Sequence, residues 1–333
     1  MRFAPTRPFG VVVSDYTLAD LNEPDTQARL VDAWHAANGL LVLRGLVLTP
    51  AELVALGKMF GTVENMIETR MRPEAIMNEQ PEIFLVHNKD FTRKSGGRPE
   101  GGDHLVQYPQ RGGWHSDQSY RSPPPDASLL YCVVPAAPGQ GDTLFCDNAR
   151  AYDELDDATR AQVEPMLMLH AASTMGRTEA AVRRNPGVGD PPQGERHKYL
   201  APVAQPVVRV HPITGRRALY LGTSGQSDWL DGPVVGMEPG PGGAGGEFLK
   251  QLIHFATAPE RVVRHEWQAG DAVLYDNRVL MHSATWFDSE LARREMWRLT
   301  IHTPAGPGKG FDTSKPSSWE IDRWKQERDR AKL

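Results

Sequence analysis

The apolar residues of this chain come in runs too short for most helices, and glycine or proline stops nearly every one. Leu40-Leu41-Val42-Leu43 and residues 127–134, 141–146, 207–210, 261–266, 271–275 and 297–303 each read as a short strand. Residues 10–13 and 114–120 read the same way. Glycine (31) and proline (27) are numerous enough in 333 residues to turn the chain between so many strands. Helical periodicity is confined to a few segments. Residues 25–37 place Leu30, Val31, Trp34 and Ala37 on one stripe, and residues 247–256 do so with Phe248, Leu252 and Phe255. Thr49-Pro50-Ala51-Glu52 is a capping box that opens a helix to about Met59, and 152–166 reads as another helix. Short strands with a few flanking helices argue for an antiparallel sandwich or barrel, mainly β with helices outside. No fixed repeat and no domain boundary is visible, so residues 1–333 are expected to form a single domain. Two stretches rich in glycine and proline or scattered charge, 88–113 and 173–205, are expected to be insertions or lid loops. Residues 239–246 read as a turn or linker, and the charged tail from Lys315 as helix-like and partly disordered.

Composition excludes several function classes. The formal net charge is −5, so bulk charge gives no reason to expect a nucleic-acid or membrane-surface partner. No apolar run approaches the roughly 20 residues needed to span a bilayer. The first residues, Met1-Arg2-Phe3-Ala4-Pro5, lack the apolar core of a signal peptide. Cys132 and Cys146 sit in strand-like surroundings and are expected as buried free thiols, which suits a reducing compartment. The expectation is a cytoplasmic protein acting on a small molecule, with a homo-oligomer compatible with the sequence.

His115-Ser116-Asp117 is the feature that carries chemistry. On a strand, residues two apart face the same side, so an imidazole and a carboxylate would project together. A third donor is needed, and His282, just beyond a strand and after Asp276-Asn277-Arg278, is the best candidate. Two histidines and one carboxylate form the facial arrangement that leaves open positions on Fe(II). By itself a His-x-Asp triplet arises often by chance, and among eleven histidines such a residue is commonly a hydrogen-bonded core or surface group. If 294–302 is one strand, Arg294 and Arg298 share a face and Arg293 points the other way. Two buried guanidinium groups call for an anion, and a dicarboxylate at Fe(II) supplies one. Surface ion pairs with Glu290 or Glu295 account for the same arginines equally well. Thr143 could donate its hydroxyl to the same carboxylate.

Together these residues resemble the taurine dioxygenase (TauD/TfdA) family of Fe(II)/2-oxoglutarate-dependent oxygenases. The resemblance rests on Trp114-His115-Ser116-Asp117, on Gly141-Asp142-Thr143-Leu144-Phe145, and on His211-Pro212-Ile213-Thr214-Gly215 with Ala218-Leu219-Tyr220. It continues through Gly270-Asp271, Asp276-Asn277-Arg278 and His282 to the stretch from Arg293 to Ile301. It implies a double-stranded β-helix (jelly roll) with helices packed outside. It also implies His115, Asp117 and His282 as iron ligands, with Thr143 and Arg294 on the distal carboxylate of 2-oxoglutarate. Arg298 would lie near the metal-bound end of the cosubstrate and could reach an anionic substrate. The implied reaction couples oxidative decarboxylation of 2-oxoglutarate by dioxygen to hydroxylation of a substrate C–H bond. Hydroxylation beside a heteroatom would give a product that fragments. Related halogenating enzymes lack the carboxylate that Asp117 provides, so its presence argues against halogenation.

The chain departs from taurine dioxygenase after Phe60-Gly61. There Thr62-Val63-Glu64-Asn65-Met66 holds no histidine, which argues against taurine as substrate. Arg111, Gln118 and His104, on or beside the first insertion, are candidates for the substrate pocket of a small polar or anionic molecule. Two other classes remain as alternatives: a zinc-dependent hydrolase, and a non-catalytic jelly roll in which Arg294 and Arg298 only grip an anion.

Overall fold

The computed structural model describes residues 1–65, 75–87, 113–191, 201–223, 225–288 and 293–303. In chain order the elements begin with β1 (Arg2–Pro5), β2 (Val11–Ser14), α1 (Pro24–Ala36), β3 (Leu40–Leu43) and α2 (Pro50–Lys58). There follow β4 (Thr62–Val63), β5 (Phe84–His87), β6 (Ala127–Val134), β7 (Thr143–Asp147), α3 (Asn148–Asp153) and α4 (Asp157–Val163). Next come β8 (Leu167–His170), α5 (Glu179–Arg184), β9 (Val203–Pro206), β10 (Val208–Val210), β11 (Arg217–Leu219) and α6 (Ala244–Ala256). The last are β12 (Val262–His265), β13 (Ala272–Asp276), β14 (Leu280–Ala284) and β15 (Glu295–His302). Two compact units are drawn from this order, neither continuous in sequence. One comes from Met1–His104, Pro125–Asp147 and Glu260–Pro307, the other from Leu105–Pro124, Asn148–Pro259 and Gly308–Leu333. No helix among the described residues is long and apolar enough to cross a membrane.

The first unit is a layered β structure. Its large sheet runs β1-β2-β3-β13-β6-β15-β4, with β5 also paired to β15. All these pairs are antiparallel except β2 with β3. Period-2 alternation sends Leu41, Leu43, Leu129, Tyr131, Leu274, Leu299 and Ile301 into one core with Leu30 and Trp34 of α1 and Leu53, Val54 and Leu56 of α2. The capping box of α2 is present as expected, with Thr49 accepting from the Glu52 amide and the Glu52 carboxylate accepting from the Thr49 amide. The opposite face carries Tyr275, whose ring stands 5.3 Å from that of Phe145 on β7 and 4.7 Å from His282 on β14. Those two residues belong to a second sheet, β12-β7-β14, so two sheets pack face to face.

The turn from β13 to β14 explains Asp276-Asn277-Arg278. Arg278 is fully buried and donates from Nε to Asp276 Oδ1 at 2.8 Å and from NH2 to Asp276 Oδ2 at 2.5 Å. Its NH1 donates to Thr303 Oγ1 at 3.1 Å, and Asp126 lies 3.8 Å away. Asp126 in turn accepts from the Thr303 amide at 2.8 Å. Burial works against the Arg278 charge, and the Asp276 carboxylate more than offsets it, so its pKa is raised.

The second unit pairs β8 with β9 and β10 with β11, and adds α3 to α6. Several expectations change here. Residues 152–166 hold no single helix: α3 ends at Asp153, and Asp156 caps a new one by accepting from the Thr159 amide at 2.9 Å. The expected insertion 173–205 carries regular structure in part, with α5 capped by Thr178 and β9 paired to β8. Residues 239–243 form the expected turn, and Gly245 and Gly246 already belong to the first turn of α6. A Cβ on Gly246 would stand 2.6 Å from the Gly240 carbonyl oxygen, which makes the missing side chain necessary. The buried face of α6 is accordingly Leu249, Leu252, Ile253 and Ala256, rotated from the expected Phe248 and Phe255 stripe. Most of 88–113, with the tail from Lys315, lies outside the described residues.

Replacing Arg278 with methionine leaves Asp276 and Asp126 buried without their cation. We expect a loss of about 3–5 kcal/mol of stability, read as a lower urea midpoint at an unchanged denaturant slope.

Candidate functional site

His115 and Asp117 lie in the second unit, but not on a strand. Residues 117–120 form a turn in which Gln118 adopts a left-handed backbone with φ of 50°. The Arg121 amide closes it onto the Gln118 carbonyl at 3.0 Å. The expected strand over 114–120 is therefore corrected: the turn, not strand alternation, brings the two side chains together. His115 Nε2 stands 3.8 Å from Asp117 Oδ1. Two donors that each bind one metal at ~2 Å lie within ~4 Å of one another, so the spacing fits a shared ion. The tautomer fits as well. His115 Nδ1 lies 2.5 Å from the Gly113 carbonyl, which must accept, so the proton sits on Nδ1 and Nε2 presents its lone pair. Asp117 is buried.

A polar network in the same unit surrounds that turn. Ser119 Oγ donates to Gln226 Oε1 at 2.9 Å and accepts from His170 Nδ1 at 2.8 Å. Gln205 Nε2 donates to the carbonyls of Ser119 and Arg121, each at 2.9 Å. Arg209 donates to Gln205 Oε1 and stacks 4.0 Å over the Tyr220 ring. Burial, with Arg209 adding to it, pushes the His170 pKa down to about 3, so this ring stays neutral.

The remaining candidates lie in the first unit. His282 is inside β14 rather than beyond a strand, in register with Phe145 and bracketed by the rings of Phe145 and Tyr275. Thr143 opens β7 and is buried; its hydroxyl accepts from the Trp267 indole at 3.0 Å, which leaves its own proton for another acceptor. The preceding loop is tied down twice. The Asp142 amide donates to Thr285 Oγ1 at 2.8 Å, and the Asp142 carboxylate takes the Arg264 guanidinium at 2.7 Å. Gly141 (φ 66°) admits the neighbouring arginine, since a Cβ there would stand 3.2 Å from Arg294 Nε.

Arg294 is buried, and burial holds its pKa below the ordinary arginine value against the opposing pull of the Cys132 thiol and the Asp142 carboxylate. It immediately precedes β15, and the β15–β6 register shifts between Glu295 and Met296. Its position is thus set by the approach to the strand rather than by alternation along it. Arg298 lies within the strand. Trp297, Leu299 and Ile301 pack with the helix-covered core, so Arg298 points to the other face, 4.8 Å over the Phe84 ring. Arg293, half exposed, pairs with Glu295, and Glu290 lies outside the described residues. Gln118 is buried, with its amide oxygen taking the Arg121 guanidinium at 2.5 Å. His104 and Arg111 lie outside the described residues. Trp267, just past β12, and Tyr275 and Gln205, within strands, went unread in the sequence because an aromatic or amide by itself carries no signal of what it will face.

Known proteins agree with this architecture. The profile of the taurine catabolism dioxygenase TauD, TfdA family matches residues 2–300. The (S)-phenoxypropionate/alpha-ketoglutarate-dioxygenase of Sphingobium herbicidovorans is 33% identical over 302 residues, covering 88% of this chain and 91% of that protein. The alpha-ketoglutarate-dependent 2,4-dichlorophenoxyacetate dioxygenase of Cupriavidus pinatubonensis is 31% identical, covering 84% and 91%. The crystal structure of AAD-2 in complex with Mn(II) and N-oxalylglycine superposes with a TM-score of 0.68 at 28% identity, covering 92% of this chain and 100% of that one. The expected jelly roll with external helices is thereby the fold. The chain belongs to the taurine catabolism dioxygenase TauD, TfdA family, and is a 2-oxoglutarate-dependent dioxygenase working with Fe(II) and dioxygen.

Proposed function

We propose that this enzyme hydroxylates a small carboxylate-bearing organic molecule of the aryloxyalkanoate kind, with His115, Asp117 and His282 as the metal ligands. The observation that carries the ligand assignment is the His115 ring, whose Nδ1 faces the Gly113 carbonyl and whose Nε2 stands 3.8 Å from a buried aspartate. Four relatives 30–33% identical to the chain act on phenoxypropionate or 2,4-dichlorophenoxyacetate, which supports the substrate class. Fe(II) with 2-oxoglutarate and dioxygen supplies the oxidant, and one oxygen atom enters the substrate while 2-oxoglutarate becomes succinate and carbon dioxide.

The chain's own residues prepare that chemistry. His115 presents Nε2 because its Nδ1–H is held by backbone. Arg294, buried and held below its ordinary pKa, offers a dehydrated guanidinium for the distal carboxylate of 2-oxoglutarate, and the Thr143 hydroxyl directs its proton to the same group. Arg298 serves the metal-bound end of the cosubstrate or an anionic substrate, and Gln118, Arg111 and His104 are substrate-pocket candidates. Hydroxylation of the carbon beside an ether oxygen gives a hemiacetal that falls apart to a phenol and a carbonyl product. We read the two interleaved units as one oxygenase domain, with 88–113 and 173–205 as insertions. The cytoplasm suits it, because Cys132 and Cys146 are buried free thiols, burial pushing Cys132 up to about 12.

Three outcomes are expected. Purified enzyme given Fe(II) and 2-oxoglutarate forms succinate, faster with phenoxyalkanoates than with taurine; a rate indifferent to every arylether carboxylate removes the substrate class. His115→Ala abolishes succinate formation; a variant that still forms it removes the ligand assignment, and hydrolysis supported by zinc without oxygen uptake would install the hydrolase instead. Arg294→Met raises the KM for 2-oxoglutarate by about 30-fold or more, the loss of roughly 2 kcal/mol or more expected when one partner of a buried charge pair is truncated; an unchanged KM would remove Arg294 from the cosubstrate site.

A further inference from the structure

We propose that Gln205 and Ser119, backed by Arg209, His170 and Gln226, are positioning residues that hold the Asp117 turn and thereby set the affinity for the metal. The proposal rests on the reading of Asp117 as a ligand.

Asp117 sits at the start of a turn whose next residue, Gln118, is held at φ 50°. For a residue with a side chain this conformation costs of order 1 kcal/mol or more and persists where the surroundings over-determine it. The surroundings here are a carboxamide and a hydroxyl. The two N–H groups of the Gln205 amide are both spent on the far side of the turn, one on the Ser119 carbonyl and one on that of Arg121. The amide is locked in that orientation because Arg209, a donor only, must take its oxygen. Arg209 is placed by stacking on Tyr220. Ser119 is anchored independently by Gln226 and His170, and its own hydroxyl bonds leave it little freedom to rotate.

This also gives a physical role to the stretch His211-Pro212-Ile213-Thr214-Gly215 with Ala218-Leu219-Tyr220. That segment is the hairpin β10–β11, in register at Arg209↔Ala218, with Arg209 on its first strand and Tyr220 just past its second. Its contribution runs from Tyr220 through Arg209 and Gln205 to the backbone of the turn. None of these groups need touch substrate or cosubstrate. Their effect is to keep the Asp117 carboxylate at its spacing from His115 Nε2 before any ion arrives, so that metal binding does not also have to order the turn.

The test is Mn(II) binding to the metal-free full-length protein, followed by the electron paramagnetic resonance signal of free Mn(II), with no turnover involved. Gln205→Met keeps the length of the side chain and removes both donors. It is expected to weaken Mn(II) binding by about 10-fold or more, the scale seen when groups behind a metal ligand are removed. Val163→Ala, which opens a cavity under α4, a helix outside the hydrogen-bond network described for the turn, is expected to lower the melting temperature and leave Mn(II) affinity as it is. If Val163→Ala weakens Mn(II) as much as Gln205→Met does, the effect is general destabilisation and the proposal is overturned. Should Gln205→Met fail to fold, Ser119→Ala decides the question in the same assay, weaker binding supporting the clamp and wild-type binding overturning it. Asp117→Ala separates the two levels. Its loss of Mn(II) binding beside wild-type affinity in Gln205→Met overturns the clamp alone, whereas wild-type affinity in Asp117→Ala overturns the ligand reading and the clamp with it.

Discussion

The packing of Tyr275 against Phe145 and His282 is the contact on which the first unit depends. It joins the large sheet, through β13, to the small sheet, through β7 and β14. An aromatic layer at this depth fixes the distance between sheets through close-packed ring contacts rather than through hydrogen bonds, which run only within each sheet. It also sets the buried His282 imidazole between two rings. Thr143, at the other end of the strand that carries Phe145, inherits its position from the same layer.

Around this apolar layer Arg278 and Arg294 are buried and Arg264 is exposed, and each is treated differently. Arg278 is matched by Asp276 and Asp126 and is structural. Arg264, more exposed, reaches Asp142 and ties down the loop before Thr143. Arg294 is buried with weaker compensation, so its desolvation outweighs the negative groups near it. Burying a cation is costly wherever the negative groups beside it do not offset the lost hydration. The surroundings thus act in opposite directions on Arg278 and Arg294, a distinction their sequence contexts do not make.

Much was legible in the sequence because it depends on local rules. The capping box at Thr49 and Glu52, the runs at 40–43 and 127–134, and the hairpin around Gly215 all follow from side-chain period and backbone preference, and each appears as expected. The order and spacing of the matched motifs named the family and with it the fold and reaction class. Where the reading failed, local preference was overruled. The residues at 114–120 look like a strand, yet Gln118 is left-handed, in a turn whose Ser119 and Arg121 carbonyls accept from Gln205, more than 80 positions away. Leu280–Ala284 is a strand that only its partner β7 reveals, and a single helix at 152–166 was broken by Asp156 capping a new one.

The sequence by itself determined which elements form, which family they belong to and which side chains can bind a metal, because those are properties of residue type and spacing. Only the tertiary structure decided which His115 nitrogen faces a backbone carbonyl, at which buried arginine burial outweighs the negative groups nearby, and which distant side chains bond the turn after Asp117. Each of those depends on a partner brought in from elsewhere in the chain. A carbonyl, a carboxylate or an amide changes the charge and hydrogen-bonding of a group only when it lies within a few ångströms, and separation along the chain does not encode that distance.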